Sequence, residues 1–303
     1  MRLSQIRDFL AVVESGSIRA GARKLEVAQP TITKSVRGLE AELHAQLLQR
    51  TPHGVALTPA GRALFARARI VQAELRKAEE EVAHLGGQGE GSVALGVGPT
   101  SGTMMLPEAV TRFREQFPRS RVRIVQALGH ALWPLVRDGT LDLAVSLRPD
   151  PRREPALRFR PLFRMGFTVV ARKGHPLHNA RSLTQLAGAS WLTLLPPPTS
   201  GAPLDQIFSA VGLPGPRAVI ECDSHAAMFA LLAKTDMLGT ISRLLLTEPM
   251  VRESLQEIAV DEPMPSLTVG IITRADPPLT PVAAAMARAV TAAARKYPHA
   301  RSK

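Results

Sequence analysis

Cysteine is nearly absent from this chain of 303 residues, which contains only one, Cys222. A single cysteine excludes a disulfide framework and is typical of proteins in a reducing compartment. Long apolar runs are also absent, because the longest uncharged stretch, Ser182–Leu204, is broken by Gly188 and three consecutive prolines. The N-terminal segment carries Arg7 and Asp8 where a signal peptide requires apolar residues. We therefore expect a cytoplasmic protein with no membrane partner.

The motifs of several common enzyme classes are missing. The chain has no G-x-S-x-G elbow, no H-E-x-x-H motif and no Walker loop. The glycines of Gly86–Gly91 follow a helical pattern and do not match the dinucleotide-binding fingerprint, so they are interpreted as a flexible linker. His175 and His178 flank Pro176 without a third ligand, which favours a surface turn over a metal site. We predict no catalytic residue, no metal ion and no cofactor.

Positive charge is in excess and is unevenly distributed. The whole chain has 38 Lys and Arg against 26 Asp and Glu, which gives a net charge of +12. Residues 1–70 carry +6, residues 71–90 carry −3, and residues 91–303 carry +9. The first block is the densest and lies among helix signals, as a nucleic-acid-binding module requires. Length and the 45% hydrophobic content predict about two folded domains.

The first 45 residues have the apolar spacing of three short helices. Ile6, Phe9, Leu10 and Val13 predict a helix over residues 4–14. Ser17 is a candidate cap for a second helix that ends near residue 25, and a third helix begins near Pro30. In the third helix Ile32, Val36, Leu39 and Leu43 face the core. The outer face therefore holds Thr31, Thr33, Lys34 and Arg37, which suits a major groove in a helix-turn-helix.

A hairpin and a long helix follow. Residues 47–59 predict a β-hairpin wing, with Arg50 and His53 near its tip, where they would approach DNA phosphates. Thr58 caps and Pro59 opens a helix to about Leu85. Apolar residues spaced by alternating four and three residues predict a coiled-coil seam for dimerisation, although packing against its own chain stays open. The seam is formed by Leu64, Ala68, Val71, Leu75, Ala78, Val82 and Leu85.

The rest of the chain alternates strand and helix patterns, which predicts a largely parallel α/β architecture. Strands are predicted at Val93–Val97, Val122–Leu128, Leu141–Leu147, Phe167–Ala171, Trp191–Leu195, Ala218–Glu221 and Leu267–Thr273. Helices are predicted at about 104–116, 131–138, 203–211, 225–234 and 281–296.

Two near-identical Pro-Thr-Ser-Gly segments, beginning at Pro99 and Pro198, each follow a predicted strand and precede a predicted helix. Hydroxyl groups and free N–H groups at such a place favour an anion, although the Ser and Thr side chains can equally serve only as helix caps. Arg148, just beyond another strand, and the charge of +9 also favour an anionic ligand.

Many spaced positions in the first 61 residues form one pattern. They are Phe9–Ser17, Ala20, Ala22, Leu25, Gln29–Thr33, Leu39, Glu40, Leu47–Arg50 and Leu57–Gly61. This pattern resembles the N-terminal signature of LysR-type transcriptional regulators. Two later segments, Asp138–Ala144 and Gly174–Leu177, resemble parts of the same family's effector domain.

The resemblance implies an N-terminal α-helical winged helix-turn-helix, a long linker helix, and a C-terminal α/β effector domain of two subdomains that is periplasmic-binding-protein-like. The boundaries would be 1–58, 59–90 for the dimerisation helix and hinge, and 91–303, with subdomain I at about 91–162 and 266–303 and subdomain II at about 163–265. The family implies a homodimer assembling to a homotetramer, which binds promoter DNA near a divergent gene and responds allosterically to a small molecule.

The resemblance also implies site residues, by position. Gln29, Thr33, Lys34 and Arg37 would contact the major groove, and Arg50 the DNA backbone. The effector site would be lined by Thr100, Ser101, Thr103, Arg148, Thr199, Ser200, Gly201, Ser224 and His225.

The chain departs from the family pattern at three places. Ala28 stands where the family has a capping Ser, which forgoes roughly 1 kcal/mol of helix stabilisation. His53 stands where a second basic wing residue is frequent, and a histidine makes backbone contact depend on pH. Residues 233–241 do not match the family's usual glycine-containing segment.

The leading hypothesis is therefore a ligand-responsive regulator that binds double-stranded DNA and a small organic anion. Two alternatives remain: a small-molecule sensor or binding protein without DNA-regulatory activity, and an enzyme that acts on a small anion. The polar outer face of the third helix argues against the first alternative. The absence of a visible nucleophile–base pair argues against the second.

Overall fold

The computed structural model describes residues 1–52, 54–86, 91–194, 203–216 and 218–297. It begins with three helices and a two-stranded hairpin, as the sequence predicts, and a long helix follows. Their bounds are α1 Leu3–Glu14, α2 Ile18–Lys24, α3 Gln29–Glu42, β1 Leu48–Thr51, β2 Gly54–Leu57 and α4 Pro59–Leu85.

Apolar residues of α1 and α3 form the core of the N-terminal module. Phe9, Leu10, Ile32 and Leu39 are completely buried, which is the pattern that their helical spacing predicts. The Ser17 hydroxyl accepts a hydrogen bond from the Ala20 N–H at 3.1 Å and so caps α2.

The hairpin is fixed to the helices by backbone and carboxylate hydrogen bonds. The Val55 N–H donates to the Gly16 carbonyl at 3.0 Å, and the Glu40 carboxylate accepts from the N–H groups of Leu47 and Leu48. The Thr58 hydroxyl then caps α4 by accepting from the Gly61 N–H at 3.0 Å. These contacts position the wing beside the N-terminal end of α4.

The apolar seam of α4 has two different environments. Ala68 is buried and Leu64 packs with it against the core of the N-terminal module. Val71, Leu75 and Val82 are exposed by 39%, 41% and 70%. The helix therefore packs against its own chain near its start, and only the later part of the seam is left uncovered.

In the described ranges of the second half, nine strands form one sheet. The strands are β3 Ser92–Val97, β4 Arg121–Gln126, β5 Leu143–Leu147, β6 Leu157–Arg172, β7 Trp191–Leu194, β8 Ala218–Cys222, β9 Leu238–Ser242, β10 Leu255–Ile258 and β11 Ser266–Arg274. Their order is β4-β3-β5-β11-β6-β9-β7-β8, with β10 paired to β6. Neighbouring strands at the two ends of the sheet are parallel, but β11 pairs antiparallel with β5 and β6, and β6 pairs antiparallel with β9 and β10. The expectation of a largely parallel sheet is thus wrong at its centre.

The sequence prediction missed part of the central sheet. It placed only Phe167–Ala171 in β6, because Arg158, Arg160 and Pro161 interrupt any apolar run in the first half of that strand. It also missed β9 and β10. These strands are recognisable only through their pairing with β6 and β7.

Helices cover the sheet, and separate apolar cores lie in its two halves. The segment Pro99–Thr103, predicted to lie between a strand and a helix, is itself helical, and Met105 separates it from the next helix. No helix in the described ranges is long and apolar enough to cross a membrane. The helices are α5 Pro99–Met104, α6 Leu106–Gln116, α7 Gly129–Arg137, α8 Leu183–Leu186, α9 Pro203–Ser209, α10 His225–Lys234, α11 Pro249–Ser254, α12 Pro281–Ala294 and a 3-10 helix Arg243–Thr247.

Gly61 tests the close packing between the wing and α4. A Cβ atom at this position would lie 2.0 Å from the Leu47 carbonyl oxygen, whereas nothing lies within 4 Å of a Cβ at Gly188. Gly61→Ala should lower the free energy of unfolding by about 2 kcal/mol, because backbone must move to admit the methyl group. Urea unfolding followed by circular dichroism measures this change. Gly188→Ala serves as the control, and equal stability of the two variants would contradict the packing.

Candidate nucleic-acid interface and ligand site

One face of α3 forms an open depression on the surface of the N-terminal module. Its lining residues lie on successive turns of the exposed face of α3, and the opposite face of the helix buries Ile32, Val36 and Leu39. Lys34 and Arg37 are exposed and form no ion pair with any part of the chain that the structure describes. The depression is lined by Gln29, Pro30, Thr33, Lys34, Arg37 and Gly38.

The polar residues of α3 differ in how free their side chains are. The Thr33 hydroxyl donates to the Gln29 carbonyl at 2.8 Å, so its hydrogen is used inside the helix. Thr31 is exposed but does not line the depression. Ala28 occupies the N-cap position and provides no side-chain cap. Backbone N–H groups in the first turn are therefore left without a capping side chain, next to the exposed Gln29.

The wing positions are only partly described. Arg50 lies in β1 opposite Val55, which places its backbone in the hairpin. The side chain of Arg50 and the whole of His53 lie outside the described residues. The predicted phosphate contacts of these two residues therefore stay predictions.

A second cluster of polar groups lies where β3 and β5 end, and we call it the ligand site. The Gly98 N–H donates to the Val145 carbonyl at 2.8 Å, which joins the two strand ends. A Cβ on Gly129, at the start of α7, would lie 3.0 Å from the Ser146 hydroxyl oxygen. The ligand site consists of Gly98, Thr100, Ser101, Gly129, Ser146 and Arg148.

The hydroxyl-bearing residues of the ligand site are mostly buried. Thr100, Ser101 and Ser146 are 8%, 3% and 3% exposed, and no hydrogen bond partner for their hydroxyls is found in the described ranges. Thr103 is exposed, and its hydroxyl already donates to the Pro99 carbonyl at 3.3 Å. The hydroxyls of these three residues are therefore more available to a ligand than that of Thr103.

Arg148 supplies positive charge just beyond the end of β5, two residues after Ser146. Its guanidinium lies over the Phe159 ring, 5.6 Å from the centroid, an arrangement that orients the charge through a cation–π contact. The residue is exposed and has no carboxylate partner among the described residues. An arginine without such a partner, close in the chain to a serine hydroxyl, provides donors that a carboxylate, sulfonate or sulfate group requires.

Ser224 and His225 follow β8, at the other end of the sheet. The Ser224 hydroxyl accepts from the Ala227 N–H at 3.3 Å and caps α10. The pKa of the His225 imidazole is lowered from 6.5 to about 4, because burial disfavours its charged form. Its Nδ1 is buried without a partner among the described residues. His225 is therefore neutral at pH 7 and adds no positive charge for an anion.

Three of the predicted effector contacts, Thr199, Ser200 and Gly201, lie outside the described residues. Outside the sheet, the two halves of the domain also contact each other where α5 meets the 3-10 helix Arg243–Thr247. Met104 packs against the cores of both halves. The described ranges contain no group of three His, Cys, Asp or Glu residues able to hold a metal ion.

Models of two known protein families match most of this chain. A model of the bacterial regulatory helix-turn-helix protein, lysR family, matches residues 3–62, and a model of the LysR substrate binding domain matches residues 86–295. The chain belongs to the LysR family of transcriptional regulators. The predicted family and its fold class, a helix-turn-helix module followed by a periplasmic-binding-protein-like domain, are confirmed.

Curated relatives share this arrangement over most of their length. The SDS degradation transcriptional activation protein of Pseudomonas sp. is 30% identical over 286 residues, covering 94% of both chains. The regulator TdcA of Escherichia coli is 26% identical, covering 85% of this chain and 82% of its own.

Solved structures support the fold. A full-length OxyR variant from Pseudomonas aeruginosa aligns with a TM-score of 0.68 at 22% identity, covering 100% of this chain and 99% of that chain. The LysR family regulator CbnR aligns with a TM-score of 0.70 at 20% identity, covering 98% of this chain and all of its own.

Sequence reasoning did not single out Ser146, Trp133 or Ser242 of this LysR regulator. Ser146 lies within a correctly predicted strand, and its position near the carboxyl end was the available signal. The Nε1 of Trp133 and the hydroxyl of Ser242 are buried without partners among the described residues. Ser242 ends β9, a strand that the sequence pattern did not predict, so no signal could have placed it.

His225 makes the stability of this LysR regulator depend on pH. Its folded pKa of about 4 lies below the unfolded value, so only the unfolded chain binds the proton between about pH 6.5 and 4. The free energy of unfolding is unaffected by His225 above pH 6.5 and falls by on the order of 3 kcal/mol as the pH decreases to 4. His225→Gln should be less sensitive to pH over this window in thermal unfolding. Identical pH profiles for the two proteins would contradict the buried neutral imidazole.

Proposed function

We propose that this LysR regulator is a ligand-responsive DNA-binding protein that uses α3 to bind double-stranded promoter DNA and the ligand site to bind a small organic anion. The observation that supports this best is the exposed face of α3. Gln29, Lys34 and Arg37 project from a helix whose other face is fixed in the core. Such a face presents Lys, Arg and Gln to base edges.

The proposal assigns DNA contacts by position on the module. Gln29, Thr33, Lys34 and Arg37 contact the major groove, with Thr31 beside them. Arg50 and His53 contact phosphates from the wing. The structural neighbour CbnR, in a complex described as containing its target DNA, aligns with a TM-score of 0.68 at 19% identity over 97% of this chain. That likeness supports the fold of the module, and the charge of +6 over residues 1–70 supports its partner.

The proposal also includes self-association in the cytoplasm, first as a homodimer and then as a homotetramer. Val71, Leu75 and Val82 form the exposed part of the α4 seam, and a second copy of α4 would cover them. The domain boundaries belong to the same proposal: 1–58 for DNA binding, 59–90 for the dimerisation helix and hinge, and 91–303 for the effector. Subdomain I would comprise 91–162 and 266–303, and subdomain II would comprise 163–265.

The ligand is proposed to be an organic anion because Arg148, two residues after Ser146, has no carboxylate partner in the described ranges. Hydrogen bonds without charge would come from Thr103, Ser224 and the neutral His225. The other half of the domain would complete the site with Thr199, Ser200 and Gly201. A bound ligand would favour a closed arrangement of the two halves of the effector domain. Closure would change which arrangements of the homotetramer are most populated, and the bend of the bound DNA would change with them.

Substitutions on α3 and in the wing should have different effects on DNA binding. Lys34→Met should reduce the preference for the regulator's own promoter over unrelated DNA by about tenfold, because a base contact by lysine or arginine contributes ~1–3 kcal/mol of discrimination. Arg50→Met should weaken both DNAs alike and reduce the slope of log affinity against log salt by about 0.9. Fluorescence anisotropy at several salt concentrations measures both quantities.

The matched control is Arg112→Met, which removes an exposed arginine paired with Glu108 on α6. It should leave DNA affinity and salt dependence unchanged. The DNA-binding proposal is wrong if Lys34→Met and Arg112→Met behave alike on promoter DNA.

Anions should stabilise the protein through Arg148. In a thermal-shift screen of carboxylates, sulfonates and alkyl sulfates, at least one compound should raise the melting temperature. Arg148→Gln should weaken its binding by about tenfold or more, because a hydrogen bond to a charged group contributes ~1.5–3 kcal/mol. Alkyl sulfates are included because the Pseudomonas relative is named for SDS degradation. Stabilisation by neutral or cationic compounds alone would overturn the choice of an anion.

A further inference from the structure

The linker helix α4 is fastened to the effector domain by a buried ion pair. The Lys77 Nζ lies 2.7 Å from an Asp142 carboxylate oxygen, and the two side chains are only 12% and 5% exposed. The other carboxylate oxygen of Asp142 accepts from the Ala94 N–H at 2.8 Å, and the Asp142 N–H donates to the Ala94 carbonyl at 2.8 Å. Asp142 therefore joins α4 to β3 through a carboxylate whose two oxygens are both engaged.

Two further ion pairs lie along the same helix. Arg69 pairs with Asp138 at 3.1 Å and hydrogen-bonds the Thr140 hydroxyl. Glu74 pairs with Arg274, at the end of β11, whose side chain is only 9% exposed. Two elements of the effector domain, the loop 138–142 and β11, thus form ion pairs with α4.

Gly139 shows that this contact is close as well as charged. Its φ of +79° favours glycine, and a Cβ there would lie 2.8 Å from the Cβ of Ala73 on α4. The loop 138–142 therefore fits against the helix surface. We call the loop 138–142, with its partners Arg69, Ala73 and Lys77, the latch.

The latch is connected to the ligand site by two short rigid elements. α7 begins at Gly129, beside Ser146, and its last residue directly precedes the loop 138–142. β5 begins after the same loop and ends at Leu147, next to Arg148. A strand of this length spans about 17 Å. Both elements that carry the latch therefore have their other ends in the ligand site.

We infer that Lys77 and Asp142 are positioning residues that hold the DNA-binding module on the effector domain and transmit the state of the ligand site to α4. This inference rests on the proposed function and deepens it, since it names the contact through which a ligand would act on DNA geometry. A lysine left without its buried partner, or an aspartate left without its lysine, is strongly unfavourable in a closed interface. Loss of either residue therefore favours separation of α4 from the loop.

The distance between the two modules tests the latch. Spin labels at Arg19→Cys in α2 and Glu115→Cys in α6, both exposed positions, are placed in a Cys222→Ser background of the full chain. Labelled chains are diluted with unlabelled ones so that distances within one chain dominate. Lys77→Met should increase the ratio of separated to latched molecules at least about tenfold, which is the shift that 1.4 kcal/mol produces.

Two other variants should have the same effect by different means. Gly139→Ala places a methyl group between the loop 138–142 and α4 without changing the charge. Arg69→Gln removes a more exposed ion pair of the latch. Lys296→Met is the matched control, because Lys296 pairs with Glu108 inside the effector domain. Circular dichroism establishes that each variant is folded. Wild-type distance distributions in folded Lys77→Met and Gly139→Ala would overturn the latch.

Transmission is tested on DNA. End-to-end fluorescence transfer on a labelled promoter fragment should report a different bend for Lys77→Met than for the wild type, with Lys296→Met unchanged. A changed distance distribution with an unchanged bend would overturn transmission while leaving the latch in place. If the wild type binds no promoter DNA, the proposed function and transmission through the latch both fail, and the distance measurement still decides whether the latch exists.

Discussion

The pairing of β6 is the constraint on which the second half of the structure depends. Its first part pairs with β11, and its second part pairs with β9 and β10. In the described part of the sheet, the path from one half to the other passes only through β6. The halves are therefore joined by hydrogen-bonded strands, and a change in their relative position must bend the sheet near β6. The two halves can therefore take only a small number of relative arrangements, as the proposed switch between defined states requires.

The sequence allowed good prediction where local physics decides the structure. The three helices of the DNA-binding module follow from the spacing of residues such as Phe9 and Ile32, and the start of α4 follows from the Thr58 cap and Pro59. The first half of β6 could not be predicted in this way, because Arg158 and Arg160 are accommodated by pairing with β11. The ion pair of Lys77 with Asp142 could not be predicted from the sequence either, because these residues are distant in the chain and meet only in the folded protein.

The distribution of charge has different consequences in the two halves. In the DNA-binding module, Lys34 and Arg37 keep their charges exposed on α3. In the effector domain, some arginines are neutralised locally, as in the pairs Arg137–Glu154 and Arg172–Asp236. Arg274 instead neutralises Glu74 of α4, and Arg148 has no carboxylate partner in the described ranges. The arginines of residues 91–303 therefore include members of internal pairs, a partner for α4 and an arginine at the ligand site.

Sequence-specific DNA binding is the central claim, and footprinting tests it most directly. The DNA to be used is the region upstream of the gene that encodes this chain, together with its divergent neighbour. At moderate salt the full-length protein should protect spaced half-sites, and a stabilising anion should change the pattern of protection. If the folded protein protects no part of this region, sequence-specific DNA binding is contradicted.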